Sequence, residues 1–155
     1  MSKANSNHFY ESLASEEEGL IQETIAQGKK INPKKVVFIT RDPNGRIVWL
    51  EEGLTSKEST EADKTPTGLK HILEEHTPDF CALGVEARAI PEFLKKLVES
   101  GEIIGRRNRG VVYRNPAGAG KRPIEIVVAS NGYIVTAFPL RDWKENGHEN
   151  DKVSV

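Results

Sequence analysis

The chain has 155 residues, of which 37% are hydrophobic and 29% charged, which predicts a single domain with a modest core. No stretch approaches the roughly 18 consecutive apolar residues of a membrane span, and the single cysteine, Cys81, excludes an internal disulfide and is expected to be a small buried residue. The net charge of −1 hides an uneven distribution, because residues 1–102 carry 13 basic and 18 acidic side chains whereas residues 103–155 carry 9 and 5.

The first part of the chain predicts a leader, a hairpin and a loop. Residues 1–30 are polar with a thin apolar stripe, which predicts a flexible or helical leader. Two β-branched runs flank the turn-forming residues Asp42 to Gly45, so residues 35–50 predict a β-hairpin. The polar stretch 51–64 has no periodicity and predicts a surface loop.

Two amphipathic helices are predicted next. Pro66 suits the first turn of a helix and Pro78 forbids its continuation, so the apolar repeat between them predicts a helix over residues 66–76. A second helix is expected to begin near Pro91 and to end at Gly101, a residue type that commonly terminates helices.

The remainder predicts an antiparallel sheet with strands over 102–105, 111–114, 124–129 and 133–139. Asn131 and Gly132 form a two-residue hairpin turn that fixes the register of the last two strands. The predicted pairs are Glu125–Phe138, Ile126–Ala137, Val127–Thr136 and Val128–Val135. One face is then apolar, whereas the other carries Glu125, Thr136 and Phe138 as a candidate cleft floor. Threonine is also an ordinary strand residue, and that interpretation stays open.

Two histidines lie on the first predicted helix, but a helical wheel separates them by about 140°. His76 falls among the apolar residues near the helix C-terminus, where the dipole favours a charged imidazole, and His71 falls on the opposite side. We therefore expect no zinc pair, because two histidines five residues apart do not share a face. A packing role for His76 and a solvated position for His71 are the alternatives.

A basic segment follows the helices. Between Ile104 and Ile124 there is no acidic residue, and the six cations are Arg106, Arg107, Arg109, Arg114, Lys121 and Arg122. Such a density of guanidinium groups is typical of a surface that contacts phosphodiester oxygens, so we expect RNA or DNA to bind there. A solvated hairpin paired with distant acidic residues is the alternative.

The order of these parts, with the sequences Gly68-Leu-Lys-His-Ile-x-x-x-His76 and Asn131-Gly-Tyr-Ile-Val-Thr-Ala-Phe-Pro139, resembles the barnase–EndoU–colicin–RelE-like nuclease superfamily. The resemblance covers about residues 35–139 and is closest to toxin C-terminal domains of contact-dependent inhibition and other polymorphic toxin systems, and to phage proteins. It implies an α+β fold, with helices packed on a central antiparallel β-sheet. The domain would span 31–141, between the leader 1–30 and a polar tail, 142–155.

The resemblance also implies an activity, namely metal-independent cleavage of RNA, often tRNA, without a cofactor. The functional residues that it implies are Lys70, His71, His76, Arg107 and Thr136. Further substrate contacts are expected from Arg106, Arg109, Arg114, Lys121, Glu125 and Phe138. A toxin of this kind would be made in the bacterial cytoplasm, delivered as part of a larger effector to the cytoplasm of a target cell, and blocked by an immunity protein.

The chemistry of the reaction suggests roles for these residues. A ribonuclease that uses no metal must remove the 2′-OH proton, stabilise the phosphorane and protonate the leaving 5′-oxygen. We expect His71 to be the general base and His76 or Lys70 the acid, and a partner from the sheet is the alternative, because the wheel positions disfavour a pair of histidines on one regular helix. The phosphate would be held by Arg107 with Arg109 or Lys121, and by Thr136. The product would end in a 2′,3′-cyclic phosphate, and cleavage would survive EDTA. A non-catalytic RNA-binding module and a phage-associated interaction module are the competing functions.

Overall fold

The computed structural model describes residues 15–118, 120–141 and 143, and the fold is α+β, with helices packed on antiparallel sheet as expected. The helices in these ranges are α1 (15–26), α2 (Ser56–Glu61), α3 (Gly68–Ala82) and α4 (Ile90–Ser100). The strands are β1 (Val36–Arg41), β2 (Ile47–Glu51), β3 (Ile103–Arg107), β4 (Gly110–Tyr113), β5 (Ile124–Val128) and β6 (Ile134–Pro139). Within the same ranges, no helix combines the length and hydrophobicity that a membrane-spanning segment needs.

The predicted hairpin is confirmed, and the leader helix packs against it. Strands β1 and β2 pair antiparallel, and the Asp42 carboxylate accepts hydrogen bonds from the backbone N–H groups of Asn44 and Arg46, at 2.9 and 3.0 Å. These bonds hold the tight turn. Helix α1 confirms a helical leader over 15–26, and residues 1–14 lie outside the described part. A small buried cluster joins the helix to the hairpin and contains Ile21, Ile39, Ile47 and Trp49.

The loop expected over 51–64 is wrong in part, because it contains α2. The Thr55 side chain accepts a hydrogen bond from the backbone of Glu58, and the Glu58 side chain accepts one from the backbone of Thr55. This reciprocal pair is a capping box, which satisfies two of the unpaired N–H groups at a helix start. The spacing of threonine and glutamate therefore specifies a helix in a stretch that lacks apolar periodicity.

Helix α3 begins later than predicted, after Thr67 rather than at Pro66. The chain enters the helix through Gly68 with a φ of +82°, a conformation that favours glycine. A Cβ on Gly68 would lie 2.8 Å from the backbone oxygen of Glu51 and from the Cα of Gly53. The start of α3 is thus fixed by a close approach of two backbones, which the local sequence pattern does not report.

Helix α3 also ends later than predicted, since Pro78 lies inside it. Proline removes one backbone donor, but the following turn is anchored by Phe80, which is fully buried and packs edge-on against Phe93 with ring centroids 6.1 Å apart. Burial of one such aromatic side chain contributes about 3 kcal/mol, enough to offset the missing hydrogen bond. Cys81 is exposed rather than buried, because this turn presents Phe80 to the core.

The four later strands form one antiparallel sheet in the order β3-β4-β5-β6, and α4 precedes it, as predicted. The inner face of this sheet packs with β1, β2, α3 and α4 in the main hydrophobic core. Its buried members on β4, β5 and β6 are Tyr113, Ile124, Ile126, Ile134 and Ala137. Helix α3 lies mainly against β6, so its two histidines lie close to that strand.

The register of β5 and β6 confirms three predicted pairs, Glu125–Phe138, Ile126–Ala137 and Val127–Thr136. The fourth is wrong, because Val128 pairs with Ile134 and Val135 forms a β-bulge. The extra residue reverses the alternation of side chains on the turn side of Thr136. Ile134 therefore points into the core, where it is fully buried. The pairing of Thr136 is still as predicted, because the loop closes between Ala129 and Tyr133 and so has three residues rather than two, which compensates for the bulge.

Candidate functional site

The side of the four-stranded sheet away from the core carries the polar residues, and we call it the outer face. Cross-strand partners in an antiparallel sheet point to the same side. One row of partners is therefore Arg107, Gly110, Val127 and Thr136, and the next is Gly105, Val112, Glu125 and Phe138. Residues that the sequence predicted separately thus meet on one surface, with each strand contributing to it.

Glu125 is the buried carboxyl of the outer face, with 8% of its side chain exposed. Its Oε1 lies 3.7 Å from Arg107 Nη1, and the Arg107 side chain reaches it from two strands away. Glycine at position 110 leaves the room for this contact, because a Cβ there would lie 2.2 Å from Glu125 Oε2. Any larger residue at position 110 would displace the carboxyl group.

Burial raises the pKa of the Glu125 carboxyl, and the Arg107 guanidinium opposes that rise by a smaller amount. The carboxyl therefore keeps its proton to a higher pH than a solvated glutamate does. A carboxyl group with a pKa moved toward neutrality can take and return a proton under physiological conditions. The sequence predicted Glu125 only as a substrate contact. Its raised pKa makes it a candidate for proton transfer as well.

Thr136 lies diagonally across from Glu125 on the neighbouring strand, at a Cα separation of about 7–8 Å for such pairs. Its hydroxyl oxygen Oγ1 is buried and has no hydrogen-bond partner among the described residues. A hydroxyl can donate as well as accept, so this group can hold an oxygen of a ligand placed beside the carboxyl. The predicted polar floor of Glu125, Thr136 and Phe138 is confirmed as a shared face.

His76 joins this surface from α3. Its ring lies against Phe138, with centroids 5.2 Å apart and an angle of 34° between the planes. Its Nδ1 lies 3.3 Å from Asp79 Oδ2, and a carboxylate only accepts, so Nδ1 donates and Nε2 remains to exchange a proton. His76 lies in the middle of α3, which ends at Ala82, so the predicted effect of the helix C-terminus on it is wrong.

His71 contacts His76, although the helical wheel separates them. The two rings meet edge to face with centroids 6.3 Å apart, and His71 Nδ1 is buried without a hydrogen-bond partner in the described part of the chain. A wheel reports the direction of each Cβ, whereas these side chains extend several ångströms and turn toward each other. The expectation that the two histidines face different surroundings is therefore wrong.

The unpaired buried polar atoms of the described residues lie around this surface. Among the described residues, the buried side-chain atoms without a hydrogen-bond partner are His71 Nδ1, Glu125 Oε1, Thr136 Oγ1 and Trp143 Nε1. Trp143 lies over Gly105 on the same face, since a Cβ on that glycine would be 2.3 Å from the indole. Folded proteins pair nearly all buried polar groups, so a cluster of exceptions is typical of a functional site.

Other predicted residues lie away from this group. Lys70 Nζ is 3.2 Å from the Glu58 carboxylate on α2 and does not join His76. Arg106 pairs with Val111 and belongs to the opposite side of the sheet, at its exposed edge. Arg109 is exposed in the turn between β3 and β4. Arg114 lies 3.0 Å from Glu102 and lines, with Lys121, a cavity next to the outer face.

The sequence analysis missed Asp79, and it also missed the space that Gly105 leaves for Trp143 and Gly110 leaves for Glu125. Asp79 lies three residues after His76, so it shares a helix face with it only if α3 continues past Pro78. The other carboxylate oxygen of Asp79, Oδ1, lies 4.0 Å from Arg122 Nη1. A His-x-x-Asp spacing is visible in the sequence, but Pro78 predicted that the helix would end before Asp79.

In the described ranges, no group of three or more His, Cys, Asp or Glu side chains is arranged to hold a metal ion.

No protein-family model matches the chain, and no curated protein matches it either. The geometry of the outer face and of α3 therefore carries the functional argument.

Proposed function

We propose that the chain is an endoribonuclease that cleaves RNA by transesterification at the outer face, without a metal ion. The observation that carries the proposal is the cluster of unpaired buried polar atoms of His71, Glu125, Thr136 and Trp143. Maintaining such groups without partners costs about 1–3 kcal/mol each, so their concentration on one surface is explained by a ligand that pairs with them.

The reaction needs a base and an acid on opposite sides of the scissile phosphate. Glu125 takes the proton of the 2′-OH, because its carboxyl is buried and has an elevated pKa. The 2′-oxygen then bonds to phosphorus, and the bond from phosphorus to the 5′-oxygen breaks. His76 Nε2 gives a proton to that oxygen, while Asp79 holds Nδ1 and fixes the ring. The products are a 2′,3′-cyclic phosphate and a free 5′-OH.

Arg107 and Thr136 stabilise the phosphorane. The Arg107 guanidinium is permanently charged and lies next to Glu125, so it can neutralise a non-bridging oxygen at the position where the 2′-OH is activated. The Thr136 hydroxyl donates to the same group from β6. His71 acts as a positioning residue for His76 through their ring contact, rather than as the base.

RNA is the proposed substrate because the reaction uses the 2′-OH and because the surface chemistry suits a polynucleotide. Residues 103–155 carry an excess of basic side chains, 9 against 5 acidic ones. Phe138 and His76 form an aromatic pair beside the carboxyl, which provides a plane for a nucleobase. Single-stranded RNA commonly binds to such a combination of cations and rings.

The decisive experiment incubates the purified chain with total tRNA in EDTA and maps the new 3′ ends. We expect fragments that end in a 2′,3′-cyclic phosphate, and loss of cleavage in Glu125→Gln and His76→Ala. The matched control is Glu92→Gln, which removes a carboxylate from an exposed position on α4 and should cut like the unmodified chain. Binding of tRNA without any cleavage would instead support the non-catalytic RNA-binding module.

The resemblance to toxin domains adds a biological proposal. The chain would be the toxic part of a larger bacterial effector, produced in the cytoplasm of one cell and acting on tRNA in another, and a cognate immunity protein would block the outer face. Induced expression in a bacterium tests this directly. Growth should stop with the unmodified chain and continue with Glu125→Gln, and equal growth of the two strains would contradict it.

A further inference from the structure

A second feature, next to the outer face, has no role in the reaction proposed above. It is a cavity of about 370 Å³, which we call the cationic cavity. The described residues that line it are Ile104, Arg114, Asn115, Gly120, Lys121, Arg122, Pro123, Arg141 and Trp143. Four of these are cations and none is acidic. Its volume falls within the range of small-ligand sites, about 300–1,000 Å³.

The four cations are not equally engaged. Arg114 is held by Glu102 at 3.0 Å, and Arg122 donates to the backbone oxygens of Pro139 and Leu140. Lys121 and Arg141 are exposed and make no ion pair within the described part of the chain. Two cations are therefore fixed as walls and two can move toward a ligand. Such an arrangement favours a compact anion, because the charges of Lys121 and Arg141 are not neutralised by carboxylates in the described ranges.

The cavity adjoins the reaction site on two sides. Arg122 faces Asp79 at 4.0 Å, and the same carboxylate holds His76 at 3.3 Å. Trp143 forms another wall and lies over Gly105, two residues before Arg107 on β3. An RNA strand that passes His76 and Glu125 would therefore bring its next phosphate to this cavity.

We propose that the cationic cavity binds a phosphate of the RNA that neighbours the scissile one. The proposal rests on the proposed function for the identity of the polymer, but the site itself is defined by its own residues. Arginine forks and a lysine ammonium match the oxygens of a phosphodiester, which carries one negative charge for each nucleotide. The cavity thus sets the register of the RNA, and Arg122 is the residue shared by the phosphate site and the His76–Asp79 pair.

The first test compares two substrates that differ in their number of phosphates. A dinucleoside monophosphate has only the scissile group, whereas a hexanucleotide also fills the cavity. In Lys121→Ala/Arg141→Ala, the ratio of kcat/KM for the hexanucleotide over the dinucleotide should fall roughly 10- to 100-fold. The matched control is Lys34→Ala/Lys57→Ala, which removes two exposed cations from the other part of the chain. An unchanged ratio in the first double variant would overturn the proposal.

The second test does not depend on catalysis. A hexadeoxynucleotide lacks the 2′-OH and cannot be cleaved by this mechanism, so its binding reports the phosphate contacts alone. The slope of log affinity against log salt should decrease by about 0.7 for each contact that the Lys121→Ala/Arg141→Ala variant loses. An altered slope in a protein that cuts no RNA would support phosphate binding in the cationic cavity and contradict the proposed function. An unaltered slope in an active protein would overturn only the proposal that the cationic cavity binds a phosphate.

Discussion

Replacing Glu125 with glutamine should stabilise the protein and inactivate it at the same time. Burial raises the pKa of this carboxyl, so the folded protein holds the proton more tightly than the unfolded chain does. The sign follows from linkage. As the pH rises above the pKa that the Glu125 carboxyl has in the unfolded chain, its ionisation favours unfolding. The loss of stability is complete once the pH exceeds the pKa of the carboxyl in the folded protein. Glutamine never ionises, so its advantage appears at high pH and vanishes at low pH.

The magnitude follows from the surroundings of the carboxyl. A buried charged oxygen without a hydrogen bond costs about 1–3 kcal/mol, and Arg107 at 3.7 Å recovers a part of it. We therefore expect Glu125→Gln to gain about 1 kcal/mol at about pH 8, which corresponds to a Tm increase of about 3 °C. At about pH 3, where both forms are neutral, the two Tm values should coincide.

The assay combines thermal unfolding at the two pH values with single-turnover cleavage of tRNA. Loss of a general base lowers the rate by roughly 10²- to 10⁴-fold. The exposed Glu92→Gln variant should change neither quantity. Cleavage at the unmodified rate would refute the role of Glu125 in proton transfer, and a Tm that falls at high pH would refute the claim that its burial destabilises the fold.

Three further substitutions test the same surface. Arg107→Ala removes the attraction that lowers the pKa of Glu125, so the acidic limb of the pH–rate profile should move to higher pH, and an unmoved limb would contradict the pairing. Gly110→Ala places a Cβ 2.2 Å from Glu125 Oε2, so it should destabilise the fold by about 1–3 kcal/mol and slow cleavage while the circular dichroism spectrum is retained; unmodified stability and rate would show that the carboxyl does not need this space. Thr136→Val removes a buried hydroxyl that has no partner in the described residues, so Tm should stay equal or rise while cleavage slows, and a large loss of Tm would indicate that the hydroxyl supports the fold instead.

The choice between His71 and Glu125 as the base shows where sequence reasoning reaches its limit. Imidazole is the natural candidate because its ordinary pKa lies near neutrality, whereas an ordinary glutamate is ionised and weakly basic at that pH. Only the packing of β4, β5 and Arg107 shows that Glu125 is buried and that its pKa is raised. The property that recommends Glu125 belongs to its surroundings and not to its residue type.

The sequence by itself determined the elements whose causes are local. The turn residues Asp42 to Gly45 specify the first hairpin, because the dihedral preferences of these neighbouring residues are sufficient for a tight turn. The turn at Asn131 and Gly132 brings β5 against β6, but the register that places Glu125, Thr136 and Phe138 on one face also depends on the bulge at Val135.

The tertiary structure decided what depends on residues far apart in the chain. Burial of Phe80 carries α3 past Pro78, and only this extension brings Asp79 to His76. The contact between Arg107 and Glu125 joins two strands across the glycine of a third. Desolvation and close approach are sums over such distant neighbours, so the chemistry of the site arises from the folded arrangement while the local patterns supply its framework.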